Sequence, residues 1–93
     1  MWIILVYDVS FSDKSGQKRL NKVRKIARKY VHHIQKSVFE GEITLSNLER
    51  LKHEIMQVVD KERDSVILYI FEDLVKHRRQ ILTSIHDPTD PLL

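Results

Sequence analysis

Two unbroken apolar runs constrain the fold of this chain most. Residues 2–7 read WIILVY and residues 66–71 read VILYIF, so every position in both runs is aliphatic or aromatic. Their length and their β-branched and aromatic content predict β-strands. A strand with one face in water alternates apolar and polar residues, and these two do not. Both strands are therefore predicted to be covered on both faces.

The segment between these runs contains two predicted helices. Residues 17–31, QKRLNKVRKIARKYV, carry apolar side chains three and four positions apart, which places them on one helical face. These residues are Leu20, Val23, Ile26, Ala27, Tyr30 and Val31. A second helix is predicted from Ser46, because Ser46 and Glu49 have the spacing of a capping box before an apolar periodic segment.

The remaining segments are shorter. Residues 32–44, HHIQKSVFEGEIT, are extended in character and form either one bent strand or two short ones, with a bulge or bend suggested by Gly41. A short strand is expected near residues 80–85. The last residues, 87–93, contain two prolines and are expected to form a flexible, frayed tail.

The order of these elements predicts an α+β fold, a ferredoxin-like βαββαβ sandwich with an additional short C-terminal strand. A chain of 93 residues can enclose one modest core, so residues 1–86 are assigned to a single domain. Two helices cover only one face of a sheet. A second copy of the chain is the simplest cover for the other face, which predicts a homodimer in which residues 80–85 extend the partner's sheet.

The composition excludes several kinds of site. There is no cysteine, which rules out disulfides and cysteine-bound zinc. The five histidines lack ligand spacing, and neither a P-loop nor a dinucleotide fingerprint is present. The opening run is too short for a membrane span and ends in an acid, so a cytoplasmic protein without a membrane partner is expected.

Positive charge is concentrated in the first predicted helix. The net charge is +3, yet residues 1–39 hold nine Lys or Arg against two acids, and residues 17–31 hold no acid. Four lysines recur four, three and four positions apart and form a stripe opposite the apolar face: Lys18, Lys22, Lys25 and Lys29. The alternative is an ordinary solvated face, but such faces usually mix signs because like charges four apart repel.

A polyanionic partner such as nucleic acid relieves this repulsion. The predicted nucleic-acid-binding residues are Lys18, Arg19, Lys22, Lys25 and Lys29, with Arg78 and Arg79 of the later KHRR segment.

Asp8 ends the first apolar run. It is either a residue whose side chain caps the following turn or a hard oxygen ligand for Mg²⁺ beside a phosphate-binding surface. In the second case a second Asp8 is supplied across a dimer axis. Both interpretations are compatible with the spacing of the residues.

Three segments resemble a known family. They are YDVS at residues 7–10, RLNKVRKIARKY at 19–30 and, most specifically, IQKSVFEGEIT at 34–44. In order and spacing over residues 1–71 the chain resembles the small CRISPR-associated endonucleases of the spacer-acquisition machinery, the "Cas-two" family. The resemblance implies a ferredoxin-like homodimer, Mg²⁺ held by Asp8, and metal-dependent cleavage of RNA or DNA in some members.

The resemblance also implies partners and further residues. The dimer would bridge two dimers of the CRISPR integrase and support a duplex DNA fragment before its insertion. Phe39 matches a residue linked to activity in relatives, so Asp8 and Phe39 are the candidate catalytic residues and Asp8 the candidate metal ligand. Lys22 matches a basic helix position, whereas His33 stands where a more basic residue is expected.

Three interpretations of function follow. The first is a Mg²⁺-dependent phosphodiesterase acting on RNA or DNA, with single-stranded RNA as one substrate. The second is a non-catalytic scaffold for duplex DNA. It is favoured as the main role because one carboxylate per chain is few ligands for a catalytic metal ion, and nucleases often use several. The third is a toxin-type endoribonuclease of the same fold.

Overall fold

The computed structural model describes residues 1–10, 14–73 and 78–89. The elements are β1 (Trp2–Asp8), α1 (Gly16–Ala27), β2 (His32–Gln35), β3 (Val38–Glu42), α2 (Leu45–Val58) and β4 (Ser65–Phe71). The four strands form one antiparallel sheet in the order β2-β3-β1-β4. This confirms the predicted βαββαβ order. No helix within the described ranges is long and apolar enough to cross a membrane.

The core lies between the sheet and the two helices. The apolar faces of α1 and α2 pack on alternate residues of the central strands, as amphipathic helices do on a sheet. The most deeply buried members are Ile3, Leu5, Tyr7, Leu20, Val23, Ala27, Phe39, Leu51 and Ile55. Each large side chain buried in this way stabilises the fold by about 2 kcal/mol.

The opposite face of the sheet, which we call the outer face, is apolar and exposed along β4. The register places Ile4 opposite Tyr69 and Val6 opposite Ile67. Tyr69 is 52% exposed and Ile67 is 45% exposed. A single chain therefore leaves one face of β4 uncovered, which agrees with the unbroken apolar sequence of this strand.

Both helices begin or end at residues that differ from the prediction. α1 ends at Ala27, so Tyr30 and Val31 lie in the turn that follows. α2 begins at Leu45 and its N-cap is Thr44, whose hydroxyl oxygen accepts a hydrogen bond from the Asn47 amide at 3.1 Å. The predicted capping box at Ser46 is wrong because Thr44 already caps the first turn from an extended backbone position.

Residues 32–44 contain two strands joined by a turn at Lys36 and Ser37. The irregular pairing lies between His33 and Gln35, so the bulge predicted at Gly41 is misplaced. Gly41 lies in regular β3, and a Cβ atom there would be 3.2 Å from Val31 Cγ1. The glycine is thus explained by close packing against Val31.

The C-terminal segment differs most from the prediction. Residues 80–85 form no strand in this chain, since none of the described strands pairs with them, and Leu82 is 87% exposed. Their pairing with a partner's sheet stays a prediction. Arg79 donates hydrogen bonds to Asp87 at 3.1 Å and to Thr89 at 2.9 Å, so these two residues of the predicted tail have partners in the fold. The flexible tail stays a prediction. Residues 90–93 lie outside the described residues.

Candidate metal and nucleic-acid site

Asp8 is the last residue of β1 and is exposed. It pairs with Ser65 of β4 and lies on the outer face, the face that also carries Val6. Its carboxylate accepts no hydrogen bond from any described residue. A turn-capping Asp typically accepts from the amide two residues on, but the Ser10 amide donates to Asp64 instead, at 2.9 Å. The described residues therefore show no turn cap at Asp8.

The donor set of one chain is incomplete for a metal. Within residues 1–10, 14–73 and 78–89, no three His, Cys, Asp or Glu side chains are grouped so that they could hold a metal ion. The Asp8 carboxylate suits Mg²⁺ chemically, because Mg²⁺ takes oxygen ligands and is often bound by one or two carboxylates together with water and phosphate oxygens. Among the described residues, one chain therefore offers a single exposed carboxylate at this point, and a Mg²⁺ site there stays a prediction.

A buried carboxylate lies beneath the chain segment that contains Asp8. Asp64 accepts hydrogen bonds from the Tyr7 hydroxyl at 2.9 Å, the Ser10 amide at 2.9 Å and the Asp60 amide at 3.0 Å. Arg19, in the first turn of α1, donates from Nε at 2.8 Å. The Asp64 side chain is fully buried, so these bonds replace its water.

This network fixes the protonation states of its members. Burial disfavours the charged form of Asp64, but the hydrogen bonds from Arg19, from the Ser10 and Asp60 amides and from Tyr7 outweigh it and lower the Asp64 pKa from 3.8 to about 2. Burial, together with the neighbouring Asp64 carboxylate, raises the pKa of Tyr7 above its usual range. At neutral pH, Asp64 is therefore an anion and Tyr7 a neutral donor.

Arg19 does not belong to the predicted nucleic-acid surface. It is 8% exposed, and its guanidinium donates to Asp64, to the Ser10 carbonyl oxygen at 2.9 Å and to the Ser15 hydroxyl. The prediction is wrong because position 19 lies one helical turn before Val23 and so on the buried face of α1. The same four-residue spacing could have placed Arg19 there from the sequence.

The lysine stripe is at the surface of α1. Lys18, Lys22 and Lys25 are exposed and form no ion pair with any described residue; we call these three residues the lysine row. Lys29 is also exposed but pairs with Glu54 of α2 at 2.5 Å. An exposed pair of this kind is weak because solvent screens it, so a phosphate can compete with Glu54 for Lys29.

The two later arginines differ from each other. Arg78 is exposed, and its role in nucleic-acid binding stays a prediction. Arg79 forms ion pairs with Glu40 of β3 and with Asp87, and is largely covered. This arrangement contradicts its assignment as a phosphate ligand, because two carboxylates already neutralise its charge.

Phe39 lies in the core and not at a surface. It is fully buried, and its ring stacks on His33 with centroids 4.5 Å apart. The His33 Nδ1 atom lies 2.8 Å from Arg28, which can only donate, so Nε2 carries the proton directed at the Lys36 carbonyl oxygen at 3.2 Å. Phe39 has no exposed surface with which to touch a substrate, so any effect it has on activity must act through packing.

The family model described as "CRISPR associated protein Cas2" matches residues 1–85. The chain belongs to the Cas2 family. Its sequence is 50% identical over 91 residues to "CRISPR-associated endoribonuclease Cas2 2" of Moorella thermoacetica. The matched region covers 98% of this chain and 100% of that protein.

Other relatives agree with this assignment. "CRISPR-associated endoribonuclease Cas2" of Dictyoglomus turgidum is 49% identical over 82 residues, covering 88% of this chain and 87% of the relative. The crystal structure of Streptococcus pyogenes Cas2 at pH 6.5 superposes with a TM-score of 0.71 at 34% identity, covering 76% of this chain and 86% of that one. The predicted resemblance and fold are both confirmed.

The sequence analysis missed Asp64 and Tyr7 in this Cas2 chain. Tyr7 lies inside an apolar run and Asp64 lies two positions before another, so neither has a local motif of its own. The one available signal was Arg19: an arginine on a buried helical face requires a counter-ion.

Proposed function

We propose that this Cas2 protein is a homodimeric CRISPR adaptation protein that binds duplex DNA along α1 and bridges subunits of the CRISPR integrase. The observation that carries the proposal is the lysine row on a helix that contains no acid. Lys18 and Lys25 are separated by about 10 Å along the helix axis, which matches about three phosphates of one strand. Lysines contact phosphates as point charges, so this binding reads no base sequence.

The outer face supports the dimer. Ile67 and Tyr69 are exposed side by side on the same face, and Ile4 and Val6 continue this apolar surface onto β1. A two-fold copy that covers this surface removes it from water and places both lysine rows outward on opposite sides. Two equivalent sides are what a bridge between two integrase dimers needs.

Asp8 supports a second activity, a Mg²⁺-dependent endonuclease. Asp8 shares the outer face with Val6, so a two-fold copy on that face brings two Asp8 carboxylates to the rim of one interface. These two carboxylates would hold the ion, and the lysine row would hold the nucleic-acid backbone. When bound, Mg²⁺ supplies Lewis-acid stabilisation of the phosphate and a more acidic water. The relatives' names as endoribonucleases favour single-stranded RNA as one substrate.

Salt-dependent binding of a labelled duplex tests the DNA surface. Replacing Lys22 and Lys25 with Gln should flatten the slope of log affinity against log salt by about 2, because each phosphate contact contributes about 0.9. Thermal unfolding should hardly change, since both side chains are exposed. The matched control is Lys52→Gln, an exposed lysine of α2 paired with Glu49. If the double variant has the wild-type slope, the lysine row contacts no phosphate and is an ordinary solvated face.

Cleavage of RNA and of duplex DNA, with and without Mg²⁺, tests the second activity. Asp8→Asn should abolish Mg²⁺-dependent cleavage while duplex affinity is retained, because only the charged ligand is lost. Cleavage by Asp8→Asn at the wild-type rate in metal-controlled buffer would refute the catalytic role. A pull-down with the integrase subunit separates adaptation from a toxin-type endoribonuclease, which would cleave RNA without binding the integrase.

A further inference from the structure

Asp64 connects the residues on both sides of Asp8. The Tyr7 hydroxyl donates to Asp64 Oδ2 at 2.9 Å, and the Ser10 amide donates to Asp64 Oδ1 at 2.9 Å. Asp64 is also the neighbour of Ser65, the residue that pairs with Asp8 across the strands. The end of β1 is therefore held from the chain before Asp8, from the chain after it and from the strand opposite.

These contacts hold the backbone on both sides of Asp8 without touching its side chain. Successive residues of a strand point to opposite faces, so the buried Tyr7 ring points toward the helices and Asp8 points to the outer face. With Tyr7 anchored below and Ser10 anchored after the strand, the backbone between them has little freedom to rotate. The Cα–Cβ bond of Asp8 is thereby directed to the outer face.

The same carboxylate ties α1 to this point. Arg19 donates to Asp64 from Nε at 2.8 Å and from the guanidinium NH2 group at 3.3 Å. That NH2 group also donates to the Ser10 carbonyl oxygen at 2.9 Å. The Ser10 amide is thus bound by Asp64 and the Ser10 carbonyl oxygen by Arg19. These bonds fix the position of the first turn of α1, the helix that carries the lysine row, relative to the end of β1.

We propose that Asp64 is a positioning residue, which acts through Tyr7, Ser10 and Arg19 to orient the Asp8 carboxylate as a metal ligand. The inference rests on the proposed metal site at Asp8. Carboxylates that bind metals are usually oriented by hydrogen bonds from residues that do not themselves touch the metal. Loss of such a bond typically weakens metal binding by about 10- to 100-fold. Asp64 holds the ligand's backbone where other sites hold the ligand's side chain.

The test is Mn²⁺ binding to the full-length protein by titration calorimetry, with Tyr7→Phe as the main variant. This change removes one hydroxyl that donates to Asp64 and keeps the buried ring. The matched control is Tyr30→Phe, which removes a hydroxyl that donates to Glu54 instead. We expect about tenfold weaker Mn²⁺ binding in Tyr7→Phe and wild-type binding in Tyr30→Phe. The thermal midpoint should fall more in Tyr7→Phe, because its hydroxyl donates to a buried carboxylate. Duplex DNA affinity should be the same in both variants, so a loss of Mn²⁺ binding with duplex binding retained distinguishes a positioning role from a general loss of structure.

Asp8→Asn separates failure of this inference from failure of the proposed metal site. If wild type and Asp8→Asn bind Mn²⁺ equally, Asp8 is no ligand and the positioning role falls with it. If Asp8→Asn loses Mn²⁺ and Tyr7→Phe binds as tightly as wild type, the positioning role alone is overturned. Asp64→Asn should weaken Mn²⁺ binding at least as much as Tyr7→Phe, and where it fails to fold by circular dichroism, Tyr7→Phe decides.

Discussion

Replacing Asp64 with Asn should change how stability depends on pH. The pKa of Asp64 is lowered from 3.8 to about 2 in the folded protein, and each pKa unit corresponds to about 1.4 kcal/mol. The ionised carboxylate therefore contributes about 2 kcal/mol of stability at neutral pH. Because the folded-state pKa is the lower one, this contribution is fully present above about pH 5 and is lost as the pH falls from about 4 to about 2.

Urea unfolding followed by circular dichroism measures this effect. Wild type and Asp64→Asn are compared from pH 7 to pH 2.5 at one protomer concentration, since the stability of a dimer depends on concentration. The difference in unfolding free energy should shrink by the larger part of this contribution between pH 7 and pH 2.5. Subtracting the variant removes the contribution of all other carboxylates that titrate in this range.

A control variant isolates burial as the cause. Glu54 also accepts hydrogen bonds from a cation and a tyrosine, Lys29 and Tyr30, but at the surface. Glu54→Gln should therefore change stability little at any pH, because solvent screens the pair. The reasoning is refuted if the stability difference between wild type and Asp64→Asn has the same size at pH 7 and at pH 2.5.

Three further outcomes are expected. Thr44→Ala should lower the free energy of unfolding of the protein by about 1 kcal/mol, as measured by thermal unfolding, because Thr44 supplies the N-cap of α2. Ser46→Ala should leave it unchanged. Tyr69→Glu places a charge on the outer face and should convert dimer to monomer at micromolar concentration in light scattering; a persistent dimer would exclude that face as the interface. Arg78→Gln should reduce the salt slope of duplex binding by about 1, and Arg79→Gln should leave it unchanged because Glu40 and Asp87 hold the Arg79 side chain.

The fold could be predicted because its signals are local. The two apolar runs became β1 and β4, and the periodic positions Leu20, Val23 and Ala27 face the core as expected. The errors occurred at boundaries, where several residues satisfy the same rule. The spacing that marks α1 continues to Tyr30 in the following turn, so the periodicity alone does not show where hydrogen bonding of the helix ends.

The site was predicted less completely because charge pairing depends on tertiary contacts. Asp8 and the lysine row follow from local sequence and do lie at the surface. Arg19 and Arg79 looked equivalent to those lysines in the sequence. Their partners are Asp64, 45 positions from Arg19, and Glu40, 39 positions from Arg79. The sequence gives the total charge of a segment. The tertiary contacts of the folded chain determine which of these charged side chains are paired and which can bind a phosphate.

The arrangement of the row relative to Asp8 separates binding from cleavage in the proposed function. The first turn of α1 is tied through Arg19 to Ser10, two residues after Asp8, whereas Lys25 lies in the last turn, at the far end of the helix. Lys25→Gln should therefore weaken nucleic-acid binding and flatten the salt slope by about 1, with kcat at saturating substrate unchanged. In the proposed function Lys25 would hold a phosphate remote from the reacting one. Asp8→Asn should give the reverse result, with kcat lost and affinity retained. Steady-state cleavage of a short RNA, measured beside its binding isotherm, distinguishes the two effects, and a fall in kcat for Lys25→Gln at saturation would show that the row takes part in the chemical step.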